Sequence, residues 1–170
     1  MMKIAIFCDS VTGNTSKLAK CIYEACEGHD VKIYNDFDLD MADADLVFMG
    51  SYIKNREPSD KFKKVMRLLV DKKIFLYGTC AFGYGISYYD LLYTNTKKYI
   101  PATNKVLAYF YCPGKLPYST RLQYEARLKR KPHDEEARDM IKMFDLVLKH
   151  PDDNDLLDLE LKVKMVLDAL

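Results

Sequence analysis

The sequence predicts an α/β fold: a doubly wound, five-stranded parallel sheet of order 2-1-3-4-5, with extra helices after the last strand. Three observations predict it. Short runs rich in β-branched and aromatic residues alternate with helix-forming segments over the first two-thirds of the chain, the pattern of successive βαβ units. Several of those runs are almost continuously apolar, as strands covered on both faces are. The length, 170 residues, suits one domain, 1–170, that buries roughly two-thirds of its unfolded surface.

In chain order, Lys3–Cys8 (KIAIFC) reads as the first strand, followed by a polar loop and a helix from Thr15 to Glu27. Val31–Tyr34 is a short second strand, and Asp45–Ser51 (DLVFMGS) a third, with a helix over Pro58–Val70. Lys73–Thr79 (KIFLYGT) is the fourth strand; a glycine-rich turn and a helix near Ser87–Tyr99 follow, and Lys105–Cys112 (KVLAYFYC) is the fifth. The remainder is helical. Asp134–Lys149 places Ala137, Met140, Ile141, Phe144 and Leu148 on one face; acids lead it, Lys149 ends it and Pro151 stops it, in keeping with the helix dipole. In Leu156–Leu170, Leu157, Leu159, Leu161, Val163 and Met165 alternate with charges, but Leu156, Leu159, Val163, Val166 and Leu170 also form a helical stripe. The Leu/Lys/Glu/Asp composition favours helix.

Composition narrows the function classes. The 26 basic and 25 acidic residues leave a net charge of +1, unlike the basic excess of a dedicated nucleic-acid binder. No apolar run approaches the ~18 residues of a membrane span, and Met1-Met2-Lys3-Ile4 leads into a strand with no cleavage-site pattern. Cys8, Cys21, Cys26, Cys80 and Cys112 are odd in number and lack close pairs, which argues against a disulfide framework or zinc site and for a cytoplasmic protein. His29, His133 and His150 are scattered and form no metal-ligand pattern. No catalytic acid, base or nucleophile stands out.

The chemistry concentrates in Asp9-Ser10-Val11-Thr12-Gly13-Asn14-Thr15, between the first strand and first helix. Three hydroxyls, a glycine and the amides of a helix N-terminus make a cradle for a phosphate. The loop has no lysine and no GxxxxGK[ST] pattern, so a terminal monophosphate fits it better than a metal-bound triphosphate. A plain serine/threonine helix cap explains the loop equally well in isolation. Two further loops shift that balance: Gly50–Pro58 after the third strand and Gly78–Gly85 after the fourth. Strands 1, 3 and 4 are neighbours in the predicted order, and ligands of such sheets bind where the strand order reverses. Tyr52, Phe82 and Tyr84 then bring aromatic faces to the crevice that holds the phosphate, which suits a planar ring joined to a monophosphate.

Here the residues resemble the flavodoxin family. Ile6, Phe7, Ser10, Gly13, Thr15, Ala19 and Ile22 answer its N-terminal signature, with Cys8 in place of the usual aromatic before the loop; GSYIKNREPSDKFKKV is similar to its second loop and following helix. The resemblance spans nearly the first half and implies FMN as cofactor. By analogy Ser10, Val11, Thr12, Gly13, Asn14 and Thr15 hold the phosphate. Ser51, Tyr52, Ile53, Lys54 and Asn55, with Thr79, Cys80, Ala81, Phe82, Gly83 and Tyr84, border the ring system. The implied role is electron transfer to a partner redox protein, a reductase or an electron donor. Two alternatives stay open: an NAD(P)H-dependent FMN reductase, whose arginine-rich phosphate loop is missing here, and a cofactor-free interaction domain. The glycines of GYGIS follow the wrong strand for a dinucleotide fingerprint, and Tyr88 stands where its third glycine belongs.

Two departures from an acidic flavodoxin are plain. Lys54, Arg56, Lys61, Lys63, Lys64 and Arg67 crowd the second loop and its helix. They form either a solvated face or, through Lys54 or Arg56, a cation beside the flavin that raises its potential. The basic stretch Tyr118–Lys131 is expected to be a solvated helix, a docking surface for an acidic partner, or a lid. The layout beyond the fifth strand resembles flavodoxin-like proteins of anaerobes that accompany a reductase, such as the accessory flavoprotein of bilirubin reductase. Cys80, at the ligand end of strand four, is either a small packing residue or a redox thiol.

Overall fold

In the computed structural model, which describes residues 1–170, the chain runs β1 (Lys3–Asp9), α1 (Asn14–Ala25), β2 (Asp30–Tyr34), α2 (Leu39–Ala42), β3 (Leu46–Lys54), β4 (Glu57–Pro58), α3 (Asp60–Met66), β5 (Lys73–Cys80), α4 (Ile86–Lys97), β6 (Lys105–Pro113), α5 (Tyr118–Arg130), α6 (Glu135–Val147) and α7 (Asp153–Asp168). The five long strands are parallel, in the order β2-β1-β3-β5-β6. The expected sheet order is therefore present, joined by one strand the sequence reading lacked. Strand β4 has two residues and pairs antiparallel with β3, Ile53 opposite Pro58 and Lys54 opposite Glu57.

The period-2 geometry of strands divides the core into two layers. Ile4, Ile6, Leu46, Phe48, Phe75 and Tyr77 face one way and pack with Leu18, Ala19 and Ile22 of α1 and Leu159 and Val163 of α7. Ala5, Phe7, Val47, Met49, Ile74 and Leu76 face the other way, against Met41, Phe62, Val65, Met66 and Leu69. All of these are buried, and burying each large apolar side chain stabilises the fold by about 1.5–3 kcal/mol. Tyr77 keeps its hydroxyl satisfied at full burial by donating to the carbonyl of Phe7 at 2.8 Å.

Local chemistry accounts for the boundaries that differ from expectation. Helix α3 starts after Ser59 rather than at Pro58, because the Ser59 hydroxyl accepts the amide of Phe62 at 3.1 Å, a cap that stabilises by roughly 1 kcal/mol. Strand β3 runs past Ser51 to Lys54 because the hairpin with β4 gives its end a partner. The short helix α2, absent from the sequence reading, is capped by Asp38, which accepts the amide of Asp40 at 2.8 Å.

The C-terminal segment is helical, as its stripe indicated. Helix α7 begins in a reciprocal capping box: the Asp152 carboxylate accepts the amide of Asp155 at 3.0 Å, and the Asp155 carboxylate accepts that of Asp152 at 2.8 Å. Leu157, Leu161 and Met165, the positions that alternate with charges, lie exposed on its outer side. Helices α5 and α6 form an appended helical hairpin between β6 and α7. Tyr118 meets Phe144 edge-on across it, with ring centroids 6.2 Å apart. No helix is long and apolar enough to cross a membrane.

Candidate functional site

The carboxyl ends of β1, β3, β5 and β6 lie side by side, and the segments leaving them enclose a cleft of about 1020 Å³, at the upper end of the range for small-molecule and cofactor sites. The first loop contributes Val11, Thr12 and Asn14. The β3–β4 hairpin contributes Tyr52, Ile53, Lys54, Asn55 and Arg56, and the loop after β5 contributes Thr79, Cys80, Ala81, Phe82 and Gly83. Tyr88 of α4 closes one side; Gly114, Lys115, Pro117 and Thr120, from the segment after β6 and the start of α5, close another.

The first loop leaves the N-terminus of α1 without a side-chain cap. Gly13 sits at the N-cap of α1 with φ of 85°, a conformation that favours glycine, and caps no amide with a side chain. The Ser10 hydroxyl reaches forward to accept the amide of Ser16 at 3.3 Å. The amides of Asn14 and Thr15 find no acceptor within the protein, which leaves the positive end of the helix open toward the cleft. Thr15 is buried, and its hydroxyl lies 2.9 Å from that of Thr79, which ties the first loop to the third. Asn14 donates to Thr12 Oγ1 at 3.0 Å and to the carbonyl of Lys115 at 2.8 Å, which ties it to the segment after β6.

The hairpin is built by two residues with positive φ, Asn55 at 54° and Arg56 at 64°, as two-residue primed turns require. Asn suits that region; Arg does not. Anchors on both sides hold the turn in place. Asn95 donates to the Arg56 carbonyl at 3.0 Å, while Glu57 binds the ammonium of Lys63 at 2.9 Å and the hydroxyl of Tyr99. The Tyr99 and Lys63 donors hold the Glu57 carboxyl below the usual range. Lys63 is thereby engaged internally, and Lys54 and Arg56 are the hairpin cations that reach the cleft.

Of the residues singled out from the sequence, Val11, Thr12, Asn14, Tyr52, Ile53, Lys54, Asn55, Thr79, Cys80, Ala81, Phe82 and Gly83 line one cleft. Ser10, Gly13 and Thr15 are not among its lining residues; they belong to the same loop in the roles just described, Gly13 exposed and Thr15 buried. Ser51 is buried away from it: its hydroxyl donates to the Tyr52 carbonyl at 2.7 Å and accepts the amide of Ser59 at 2.9 Å, so it fixes the hairpin. Tyr84 turns outward, 62% exposed, and lines a separate groove with Ile86, Phe110 and Met165. Cys80 is 2% exposed and its thiol points to the carbonyls of Cys112 at 3.5 Å and Gly83 at 3.8 Å. Burial pushes that thiol up to about 12, which leaves it protonated near neutral pH and fits packing rather than redox chemistry. Tyr88, Gly114, Lys115 and Pro117 carry no signal in the sequence, since only the folded chain brings α4 and the segment after β6 to this crevice; Thr120 comes from the basic stretch for which a lid is one expectation, and it lines the cleft beside them.

Two of the arginines in the basic segment pair within the appended hairpin, whereas Lys129, Arg130 and Lys131 at its end are exposed and bind no carboxylate. In α5, Arg121 binds Glu125 at 2.7 Å and also Asp145 of α6, and Arg127 binds Asp134 at 2.7 Å and also Glu136. Those two charges hold the helical hairpin together.

Comparison with known proteins agrees with this geometry. Residues 5–164 match the Flavodoxin domain family. The flavodoxin-like domain-containing protein BilS of Clostridioides difficile (strain CD3) is 30% identical over 167 residues, which cover 96% of this chain and 95% of that protein. BilS of Clostridium symbiosum (strain WAL-14163) is 26% identical over 91% of this chain and 90% of its own. Among solved structures, a flavodoxin from the domain Archaea superimposes with a TM-score of 0.56 at 14% identity, over 99% of this chain and 98% of that one. A Lactobacillus acidophilus flavoprotein in complex with FMN gives 0.50 at 15% identity, over 65% of this chain and 93% of that one. A sheet ordered β2-β1-β3-β5-β6, three loops meeting where that order reverses, and a family match across almost the whole length have one reading: the chain belongs to the flavodoxin family.

Proposed function

We propose that this protein binds FMN in the cleft and carries electrons to a partner redox protein. The observation that carries the reading is the open, uncapped N-terminus of α1 at one end of a cleft whose other walls bring the aromatic rings of Tyr52 and Phe82. Thr12, Asn14 and the amides of Asn14 and Thr15 would hold the phosphate, and Tyr52, Phe82 and the hairpin backbone would border the ring. FMN, when bound, supplies the electron-transfer chemistry; the protein supplies position, shielding from water and the local field. The cleft is lined by hydrogen-bond donors, aromatic faces and three cations, with no carboxylate or imidazole among its residues. That donor set favours a carrier over an enzyme needing a general acid or base at neutral pH.

The test is direct. Protein prepared with FMN is expected to show flavin absorption, and stripped protein to recover it on titration, quenching flavin fluorescence at one equivalent. Anaerobically reduced protein is expected to stay reduced alone and to reoxidise when a cognate redox protein is added. A stripped protein that leaves FMN fluorescence unchanged at millimolar excess removes the cofactor assignment. Rapid bleaching by NAD(P)H with no second protein moves the reading to an FMN-dependent oxidoreductase.

A further inference from the structure

The phosphate cradle as the first loop builds it has an electrostatic gap. Ser10 to Thr15 carries no cation, and Lys17, in the first turn of α1, is turned away: its ammonium donates to the carbonyl of Pro151 at 2.6 Å. A phosphate monoester carries a charge of about −1.5 to −2 near neutral pH, and a single helix terminus offsets only about half an elementary charge.

The fold brings a cation to this place from the far end of the sheet. Lys115, 101 residues beyond Asn14 in the chain, lines the cleft beside Thr12 and Asn14. Its backbone is clamped. The amide of Gly114 donates to the Cys80 carbonyl at 2.9 Å, and that of Lys115 to the His150 carbonyl at 2.8 Å. The Lys115 carbonyl accepts from Asn14 Nδ2 at 2.8 Å. Gly114 lies so close that a Cβ there would stand 2.8 Å from that same nitrogen, so a larger residue would press on the Asn14 side chain. The Lys115 side chain is exposed on the cleft wall, with no carboxylate among the lining residues to neutralise it. The remaining cleft cations, Lys54 and Arg56, belong to the β3–β4 hairpin.

We infer that Lys115 is the counter-charge of the cofactor's phosphate: a specificity residue that makes the cleft prefer a dianionic flavin monophosphate over an uncharged flavin. This rests on the FMN reading above. Its ammonium contributes Coulombic attraction at the mouth of the cradle, and its carbonyl orients the Asn14 amide that forms the adjoining wall. The two contributions separate experimentally, because a side-chain substitution leaves the carbonyl in place.

The experiment titrates stripped wild-type protein, Lys115→Gln and Lys115→Arg with FMN and, separately, with riboflavin. Lys115→Gln is expected to bind FMN about tenfold more weakly, the size of effect one partly exposed charge pair commands. Its riboflavin affinity is expected to stay within about twofold, and the FMN deficit to shrink as ionic strength rises past 0.15 M. Lys115→Arg keeps the charge and is expected to bind FMN like wild type. Equal FMN affinity in wild type and Lys115→Gln overturns the inference, as does parallel weakening of FMN and riboflavin, which marks a structural role. A wild-type protein that binds no FMN removes the cofactor reading itself, an outcome distinct from both.

Discussion

The hydroxyls of Thr15 and Thr79 lie 2.9 Å apart with both residues buried, so a single hydrogen bond stitches the start of α1 to the carboxyl end of β5. A buried hydroxyl that loses its partner costs about 1–3 kcal/mol, whereas removing both partners at once is far milder. Thr15→Val and Thr79→Val are each expected to lower the urea-unfolding free energy by that amount, and the double variant to lose less than the two singles combined. Additive losses in the cycle would mean that the pair does not interact. Both singles are also expected to weaken FMN binding, because the bond holds Thr15 and its amide in register with the third loop.

Arg56 has a φ of 64°, in a region that costs a non-glycine residue about 1–2 kcal/mol. Glycine avoids that cost and gives back about 0.5–1 kcal/mol through its greater freedom in the unfolded chain. Arg56→Gly is therefore expected to stabilise the protein by roughly 0.5–1 kcal/mol, read as a higher denaturation midpoint at unchanged m-value. The bond from Asn95 survives, because it reaches the Arg56 carbonyl. The same substitution removes the cation that Arg56 brings to the cleft.

That cation and Lys54 line the cleft from the hairpin. Both side chains are exposed, so solvent screens them, and a charge a few ångströms from the ring interacts by about 1 kcal/mol rather than the several of a buried site. Lys54→Gln with Arg56→Gln is expected to lower the final reduction potential of the bound flavin by on the order of tens of millivolts. The shift should fade as salt rises. Anaerobic redox titration at two ionic strengths reads it, and an unchanged potential at the lower one would show that neither cation senses the flavin.

Much of this was legible in the sequence for a physical reason. Strands covered on both faces leave long apolar runs such as those around Ile6, Phe48 and Phe75, and a right-handed crossover rule then leaves few sheet orders to choose from. The first loop was legible because Ser10, Gly13 and Thr15 are local in sequence. What escaped was non-local. The Tyr52, Phe82, Tyr84 trio divides because Gly83 and Gly85, both with positive φ, turn Tyr84 out of the cleft. Strand β4 escaped because Pro58 reads as a helix start, when its place is the edge of a hairpin. Lys115 carries no local signal, and its role depends on β6 ending beside the first loop. Arg121 and Arg127 of α5 read as part of a free basic surface until Asp134, Glu136 and Asp145 fold against them.

Those arginines make the last prediction. Asp134 accepts the amide of Ala137 at 3.0 Å and two hydrogen bonds from Arg127, and the Ala137 amide first, then Arg127, lower its carboxyl below its ordinary value of 3.8. A carboxyl depressed in the folded state adds stability that is fully present above its unfolded value and is lost as pH falls through the folded one. The α5–α6 hairpin is therefore expected to loosen below about pH 4, ahead of the sheet, because α5 has no buried residue of its own to hold it. Amide exchange in α5 should accelerate in that window while exchange in β3 and β5 stays slow. Asp134→Asn, which removes the titrating charge and weakens the Arg127 pairing, should make α5 exchange fast and nearly independent of pH there. A hairpin that keeps its protection down to the acid unfolding of the whole sheet would show that packing around Phe144, not the ion pairs, holds it in place.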